Sequence, residues 1–268
     1  MSAADKICDR LQSFCDNRTR LAHDIEGYAT TGVSVCSFAW SANEALSVPL
    51  AHLDWRRWWE PSEEARIIAA IRHVLEDANV PKIAHNWSFE LFVWRWKYGI
   101  QVHGVCDDTM LKHAAIYPEL EKALDVVATI YAKEPYWKDM GDTEDDEQLA
   151  RYNALDSMVT YEVNDAMDRD MTEAQHGYYQ HQLALLEPCG EMMFSGLCYD
   201  APARDAMVAQ ISREVYEAQG NLDTLAGIAP PTFKEVAEAV CFKKKLDRIS
   251  TWEDVLLYAK PSGRAPLC

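Results

Sequence analysis

The chain has 268 residues, of which 49% are hydrophobic and 26% charged, a composition that suits a globular protein without a membrane span. Its net charge of −17 disfavours a basic surface for nucleic acids, although carboxylate-bound metal ions could still bring an enzyme to a polyanion. The eight cysteines show no CxxC spacing and the N-terminus no signal pattern, so we expect free thiols, no zinc site and a cytoplasmic location.

The first half of the chain predicts a helix, a meander of three strands and then alternating helices and strands. The predicted strands are rich in β-branched and aromatic residues with partial alternation. A helix should begin at Pro61, with Glu63 and Glu64 in its first turn. The predicted elements are a helix over 1–17, strands over 20–27, 32–41 and 44–51, a helix over 61–80, a strand over 82–86, a helix over 87–98 and a strand over 102–106.

The second half of the chain is mostly helical. Helices are predicted over 108–117, 121–132 and 143–171, and a purely helical pattern follows. Together with the meander and the later βα units, this order predicts an α/β fold, a mixed sheet with helices on its faces. We expect two domains, one over 1–175 and a helical extension over 176–268.

Asp24 and Glu26 lie two residues apart at the end of the first predicted strand. Alternate residues of a strand point to the same face, so these two carboxylates should point together. Adjacent like charges repel each other, and a cation close to both would remove that repulsion. The alternative is a solvated strand end that binds nothing.

Three further residues attract attention because of their helical positions. Tyr152 and Asp156 are four residues apart in a predicted helix and should share one of its faces, although taken alone they form an ordinary surface pair. Glu90 is the one acid in the apolar stretch 84–96, near the start of a helix that Ser88 could cap. The helix dipole would favour an acid there by about 0.3–1 kcal/mol, which is its simplest explanation.

The four carboxylates together predict a metal site. Asp24, Glu26, Glu90 and Asp156 come from a strand end, a βα junction and a late helix, which can converge at one edge of a sheet. Four acids suit hard divalent ions such as Mg²⁺ or Mn²⁺. Two such ions about 4 Å apart activate a water and stabilise the leaving oxygen of a phosphodiester.

In this order the acidic motifs resemble those of the 3′→5′ proofreading exonuclease domains of family A DNA polymerases, especially phage ones. These domains belong to the DnaQ-like superfamily and have a ribonuclease H-like fold. The stretch "HDIEG" is similar to the first motif, "AHNWSFELFVW" to the second and "YNALD" to the third, and the likeness covers about residues 18–170. The resemblance implies a ribonuclease H-like mixed sheet with flanking helices, and removal of nucleoside monophosphates from DNA 3′ ends with two Mg²⁺ or Mn²⁺ ions.

The resemblance also implies roles for individual residues, in the tyrosine type of the family. Asp24, Glu26 and Asp156 would hold the metal ions together with Glu90, which stands where the family commonly has an aspartate. Tyr152 would orient the attacking water. The residues that would support the second motif and the DNA end are Asn86 and Phe89.

The C-terminal part resembles the start of a polymerase. Residues 187–200 are similar to the segment that leads into the thumb helices, so 176–268 would be a thumb-like extension. The palm and fingers motifs are missing, and we therefore expect no polymerase activity. The expected partners are DNA, as a single strand or a frayed 3′ end, and a separate subunit of a split phage polymerase in the host cytoplasm.

Two alternatives remain open. The chain could be a catalytically weak or silent scaffold that clamps DNA for a separate polymerase chain. It could also be an RNA exonuclease similar to ribonuclease D. The basic run 243–248 could contact DNA or a polymerase partner, or it could be a solvated loop.

Overall fold

The structure is a computed structural model that describes residues 2–28 and 30–227. The basic run 243–248, for which a contact with DNA or a partner and a solvated loop are both open, lies outside these residues. None of the helices within them has the length and apolar character needed to span a membrane. In chain order the elements are α1 (Ala3–Asp16), β1 (Leu21–Tyr28), β2 (Gly32–Ser41), β3 (Glu44–Pro49), α2 (Pro61–Glu76), β4 (Lys82–Ala84), α3 (Trp87–Tyr98), β5 (Val105–Asp108), α4 (Thr109–Ile116), α5 (Leu124–Tyr131), a 3₁₀ helix (Lys138–Gly141), α6 (Asp146–Asp170), α7 (Glu173–Ala184), α8 (Leu186–Ser195) and α9 (Ala201–Leu225).

A five-stranded mixed sheet has the strand order β3-β2-β1-β4-β5. Strands β1, β2 and β3 form an antiparallel meander, and β4 and β5 continue the sheet in parallel with β1. The predicted meander and the predicted α/β class, a mixed sheet with helices on its faces, are confirmed. The carboxyl ends of the three parallel strands therefore meet at one edge of the sheet, where α3 and α4 begin.

The two faces of β1 have different neighbours, because alternate side chains point to opposite sides of a strand. Ile25 belongs to the main core, which α1, α2 and α3 share with the sheet. Ala22 lies on the opposite face with Ala39 of β2, beneath α6. These small side chains allow α6 to pack closely on the sheet. Asp24 and Glu26 follow Ala22 on the same face, so the fold directs both acids towards α6.

Some element boundaries differ from the predicted ones. The bounds of β2 and α3 are as predicted, whereas α2 ends at Glu76, before the predicted end at residue 80. The side chain of Asp77 accepts a hydrogen bond from the backbone N–H of Asn79 at 2.8 Å and stabilises a turn there. Strand β5 begins later than predicted, at Val105. Gly104 has a left-handed φ of 71°, and a Cβ on it would lie 2.5 Å from a backbone oxygen, so the extended strand cannot continue through this residue.

The chain divides into two compact units, Met1–Ser195 and Gly196–Cys268. The first unit includes α7 and α8, because α7 packs against α4 and α8 packs against α3. A domain boundary after residue 175 stays a prediction. Tyr179 of α7 is fully buried. Its hydroxyl donates to Asp107 Oδ1 at 2.8 Å and accepts from the backbone N–H of Asp108 at 2.9 Å, which attaches α7 to the end of β5.

Candidate active site

The end of β1 and the middle of α6 bring three of the predicted acids together. Asp24, Glu26 and Asp156 each offer a carboxylate oxygen, and these three oxygens lie within 4.8 Å of one another. Asp156 is buried, with 4% of its surface exposed, and the other two are partly buried. At this spacing the three negative charges repel one another strongly, and protons or a cation are needed to offset that repulsion.

Burial and mutual repulsion raise the pKa of these carboxyl groups. Burial makes the largest contribution for Asp24, whose pKa is well above its usual value, and the charges of Asp156, Glu26 and Glu90 raise it further. Burial also raises the pKa of Glu26 to about 7, with a further contribution from Asp156. A divalent cation would favour the charged forms of all these groups.

Glu90 lies beside this group of acids but not within it. It belongs to the first turn of α3 and is 3% exposed, and its Oε2 has no hydrogen-bond partner among the described residues. Burial raises its pKa well above the usual value, and the charges of Asp108 and Glu26 add to that effect. Its oxygens are not among the three that lie within 4.8 Å of one another. A buried carboxylate oxygen without a partner is costly, and a nearby cation would satisfy it.

The start of α3 differs from the prediction. Its N-cap is Asn86, which has a left-handed φ of 80°, whereas Ser88 lies inside the first turn. The side chain of Asn86 makes no capping hydrogen bond, and Asp108 instead accepts from the backbone N–H of Trp87 at 2.8 Å. Phe89 packs against the main core. The contact of Asn86 and Phe89 with a DNA end stays a prediction.

Tyr152 and Asp156 share one face of α6, as their spacing predicts, and one lysine contacts both. The ammonium group of Lys138, in the 3₁₀ helix, donates to the two oxygens of Asp156 at 2.8 and 2.9 Å and to the hydroxyl of Tyr152 at 3.0 Å. The indole N–H of Trp137 also donates to Asp156, at 2.6 Å. Burial lowers the pKa of Lys138, but the charge of Asp156 outweighs it and the pKa is raised overall, so this lysine is positively charged.

Three residues of the site have no role in the sequence analysis: Lys138, Trp137 and Asn153. The side-chain amide of Asn153 donates to Asp24 Oδ2 at 2.6 Å and orients that carboxylate. Its place next to Tyr152 in the third motif is a signal that could identify it. Lys138 offers no such signal, because it lies in an irregular acidic segment where no spacing relates it to the acids.

The donors at this site fit a hard divalent cation. The close group consists of carboxylates alone, which are the ligands that Mg²⁺ and Mn²⁺ prefer over imidazole or thiolate. The unpartnered buried oxygen of Glu90 and the raised pKa values of Asp24 and Glu26 point the same way, since a cation offsets both costs.

The comparison with protein families gives a match to most of the first unit. A family model described as 3′-5′ exonuclease matches residues 3–172, a span that covers more than half of the chain and includes every residue of the site. None of the curated proteins matches the chain significantly in sequence.

Several solved structures are similar to this chain in fold. The POL domain of Pol1 from M. smegmatis, in complex with DNA primer-template and dNTP, has a TM-score of 0.57 and 15% identity, covering 82% of this chain but only 36% of that one. A structure described as the apo form of the nuclease has a TM-score of 0.54 and 16% identity, covering 73% and 90% of the two chains. The catalytic core of RRP6 from Trypanosoma brucei has a TM-score of 0.54 and 13% identity, covering 99% and 74%. The predicted ribonuclease H-like fold is thereby confirmed.

Proposed function

Because this chain belongs to the family of 3′-5′ exonuclease domains, we propose that it removes nucleoside monophosphates one at a time from single-stranded or frayed 3′ ends of DNA. The observation that carries the proposal is the group of Asp24, Glu26 and Asp156, whose carboxylate oxygens lie within 4.8 Å of one another. Acids held this closely in a partly buried site are costly without a cation, and they suit a metal-dependent hydrolysis of phosphodiesters.

Mg²⁺ or Mn²⁺ would be held by these three acids, with Glu90 beside them. Two such ions, when bound, activate a water and stabilise the leaving oxygen of the phosphodiester. The protein itself keeps the ligands in position, since Asn153 holds Asp24 by a hydrogen bond. Trp137 holds Asp156 in the same way. Changes to such supporting partners of metal ligands typically cost about 10–100-fold in metal affinity or activity.

Tyr152 is suited to orient the attacking water. Burial and the charge of Asp156 raise its pKa to about 12, so its hydroxyl keeps its proton at neutral pH. Because the hydroxyl oxygen accepts a hydrogen bond from Lys138, it can donate its own proton to a water that approaches the acids. Tyr152 would therefore position this water and would not remove its proton.

The exonuclease would serve proofreading in a polymerase of family A type. The fold likeness to Pol1 from M. smegmatis covers 82% of this chain, which supports this assignment. A 25-residue helix, α9, follows the segment that resembles the start of a polymerase region.

The second candidate function is a catalytically weak or silent scaffold that clamps DNA for a separate polymerase chain. The position of Glu90 favours it, since the oxygens of this residue lie outside the group of three acids. Glu90→Asp separates the two candidates. A near-silent wild type that gains a large rate with aspartate supports the scaffold, whereas robust activity of the wild type contradicts it.

Matched 5′-labelled single strands of DNA and RNA test the proposed substrate. With Mg²⁺ or Mn²⁺ we expect a ladder of DNA products shortened from the 3′ end, release of nucleoside monophosphates and slower cleavage of RNA, and EDTA should stop the reaction. Faster cleavage of RNA would favour the ribonuclease D-like alternative. Failure of the folded chain to cleave either strand would contradict the exonuclease proposal.

A further inference from the structure

The positively charged ammonium group of Lys138 contacts Asp156, one of the acids that would bind metal. The geometry points to Lys138 as a built-in cation that competes with a divalent ion for Asp156. The site would then bind one ion readily, and a second ion only after Lys138 is displaced. This inference rests on the proposed function, because it concerns the two ions that the exonuclease would use.

The contacts of Lys138 use its whole hydrogen-bonding capacity. An ammonium group has three N–H donors, and here they have three acceptors, the two oxygens of Asp156 and the hydroxyl of Tyr152. Its Nζ also lies 5.3 Å from the ring centroid of Trp137 and 5.0 Å from that of Tyr152. The side chain is only 22% exposed. The ammonium is therefore held in a defined place and does not sample solvent like a surface lysine.

These contacts leave Asp156 little capacity for a metal ion. Its Oδ1 accepts from both Trp137 and Lys138, which uses the two lone pairs of that oxygen. Its Oδ2 accepts from Lys138 as well, and one lone pair remains. The described hydrogen bond to Asp24 comes instead from the neutral amide of Asn153. An ion bound through Asp24 and Glu26 would keep its ligands, whereas an ion bound through Asp156 would have to displace the ammonium.

Charge adds to this competition. A divalent ion on Asp156 would lie next to an ammonium group, and like charges at such distances repel each other strongly in a partly buried site. The phosphate of a bound 3′ end would add negative charge and offset that repulsion. Lys138 would thus couple the binding of the second ion to the presence of substrate. The site would hold both ions only when a DNA end is bound.

A calorimetric titration of the metal-free full chain with Mn²⁺, in the absence of nucleic acid, tests this inference. The wild type should bind one ion per chain over the range of Mn²⁺ concentrations that calorimetry can measure. Lys138→Met should bind a second ion at least about tenfold more tightly than the wild type does, because the competing charge is gone. Lys138→Gln keeps N–H donors without the charge, so it should show the same gain even where methionine impairs folding.

Two control variants accompany this titration. Lys138→Arg keeps the charge and should retain the wild-type isotherm. Lys133→Met removes an exposed positive charge from the same segment and should change nothing.

The outcomes separate this inference from the proposed function. A lysine with a purely structural role would lower Mn²⁺ affinity when replaced, the opposite of the expected gain. Unchanged or weaker binding in both neutral variants, or two equally tight ions in the wild type, would overturn the competition while the metal site stands. No binding of Mn²⁺ by any folded variant, the wild type included, would overturn both.

Discussion

Tyr152 packs against a glycine that leaves its ring little room. A Cβ added to Gly141 would lie 3.0 Å from ring carbon Cζ of Tyr152 and 3.2 Å from two further ring atoms. Such contacts are tighter than ordinary van der Waals separations, so the ring would have to move. The ring therefore holds its present position only while residue 141 of the 3₁₀ helix carries no Cβ.

Gly141→Ala should displace the ring of Tyr152 slightly and lower kcat by about tenfold, because small misplacements of a group that orients a reactant are costly. KM and the affinity for Mn²⁺ should change much less, since the acids keep their positions. Steady-state kinetics on labelled DNA measure the effect. Gly177→Ala in α7 is the matched control, because a Cβ there meets nothing within 4 Å. An unchanged kcat for Gly141→Ala would contradict the role of Tyr152.

The burial of His85 leads us to expect a loss of stability in mild acid. Its Nε2 lies 2.7 Å from the carbonyl oxygen of Lys122 and its Nδ1 lies 2.8 Å from the hydroxyl of Thr109. Burial lowers its pKa to about 4, whereas the unfolded chain takes up this proton near the ordinary value of about 6.5. Between these values the unfolded state binds more protons, so the contribution to stability is complete above about pH 6.5 and is lost as the pH falls towards 4.

The size of this effect is at most about 3 kcal/mol in the free energy of unfolding. Urea unfolding between pH 4 and 7 measures it in the wild type and in His85→Gln, which does not titrate. The advantage of the wild type over the variant should shrink as the pH falls. Parallel pH profiles for the two proteins would show that His85 is not held neutral by burial.

Sequence spacing predicts the positions of acids better than it predicts their partners. The alternation of a strand places Asp24 and Glu26 on one face, and the helical repeat does the same for Tyr152 and Asp156. These are local regularities of the backbone. The contacts of Lys138 arise only when the segment before α6 folds back over that helix, and no local pattern of residues encodes such an approach.

At the scale of elements, the buried hydroxyl of Tyr179 helps to hold α7 against the end of β5. Tyr179→Phe would leave the backbone N–H of Asp108 without its acceptor, whereas Asp107 would lose one donor and keep the ammonium of Lys112 at 2.8 Å. We expect a loss of about 1–3 kcal/mol in the free energy of unfolding, as for other buried groups left unpaired. Tyr178→Phe is the matched control, because that side chain is 55% exposed. Equal effects of the two substitutions in urea unfolding would contradict this attachment.

The types of the elements were predictable, but the surfaces on which α7 and α8 pack were not. Alternating and continuous apolar residues predict β2 and α3 with the observed bounds. The purely helical pattern after residue 171 also predicts α7, yet it does not say which surface the helix covers. The packing of α7 and α8 on α4 and α3 is a tertiary property, and it carries the first unit to Ser195.

At the scale of the whole molecule, the net charge of −17 is of the same sign as the polyanionic substrate of the proposed function. Repulsion between the two would oppose association unless divalent ions change the local sign of charge. The proposed function therefore requires the same ions for binding of a DNA end and for its hydrolysis. The acids of β1 and α6 would then have two roles, because the ions that they hold would offset the repulsion and would also support the hydrolysis.

A time course with 5′-labelled single-stranded DNA and Mg²⁺ tests the proposed role of these acids in hydrolysis most directly. The wild type should give a ladder of strands that shorten one nucleotide at a time from the 3′ end. Asp24→Asn, with an unchanged circular dichroism spectrum, should be slower by on the order of 100-fold or more, because a metal ligand is lost. A ladder of equal intensity from Asp24→Asn, or immediate release of a labelled mononucleotide from the 5′ end, would contradict the assignment of this site.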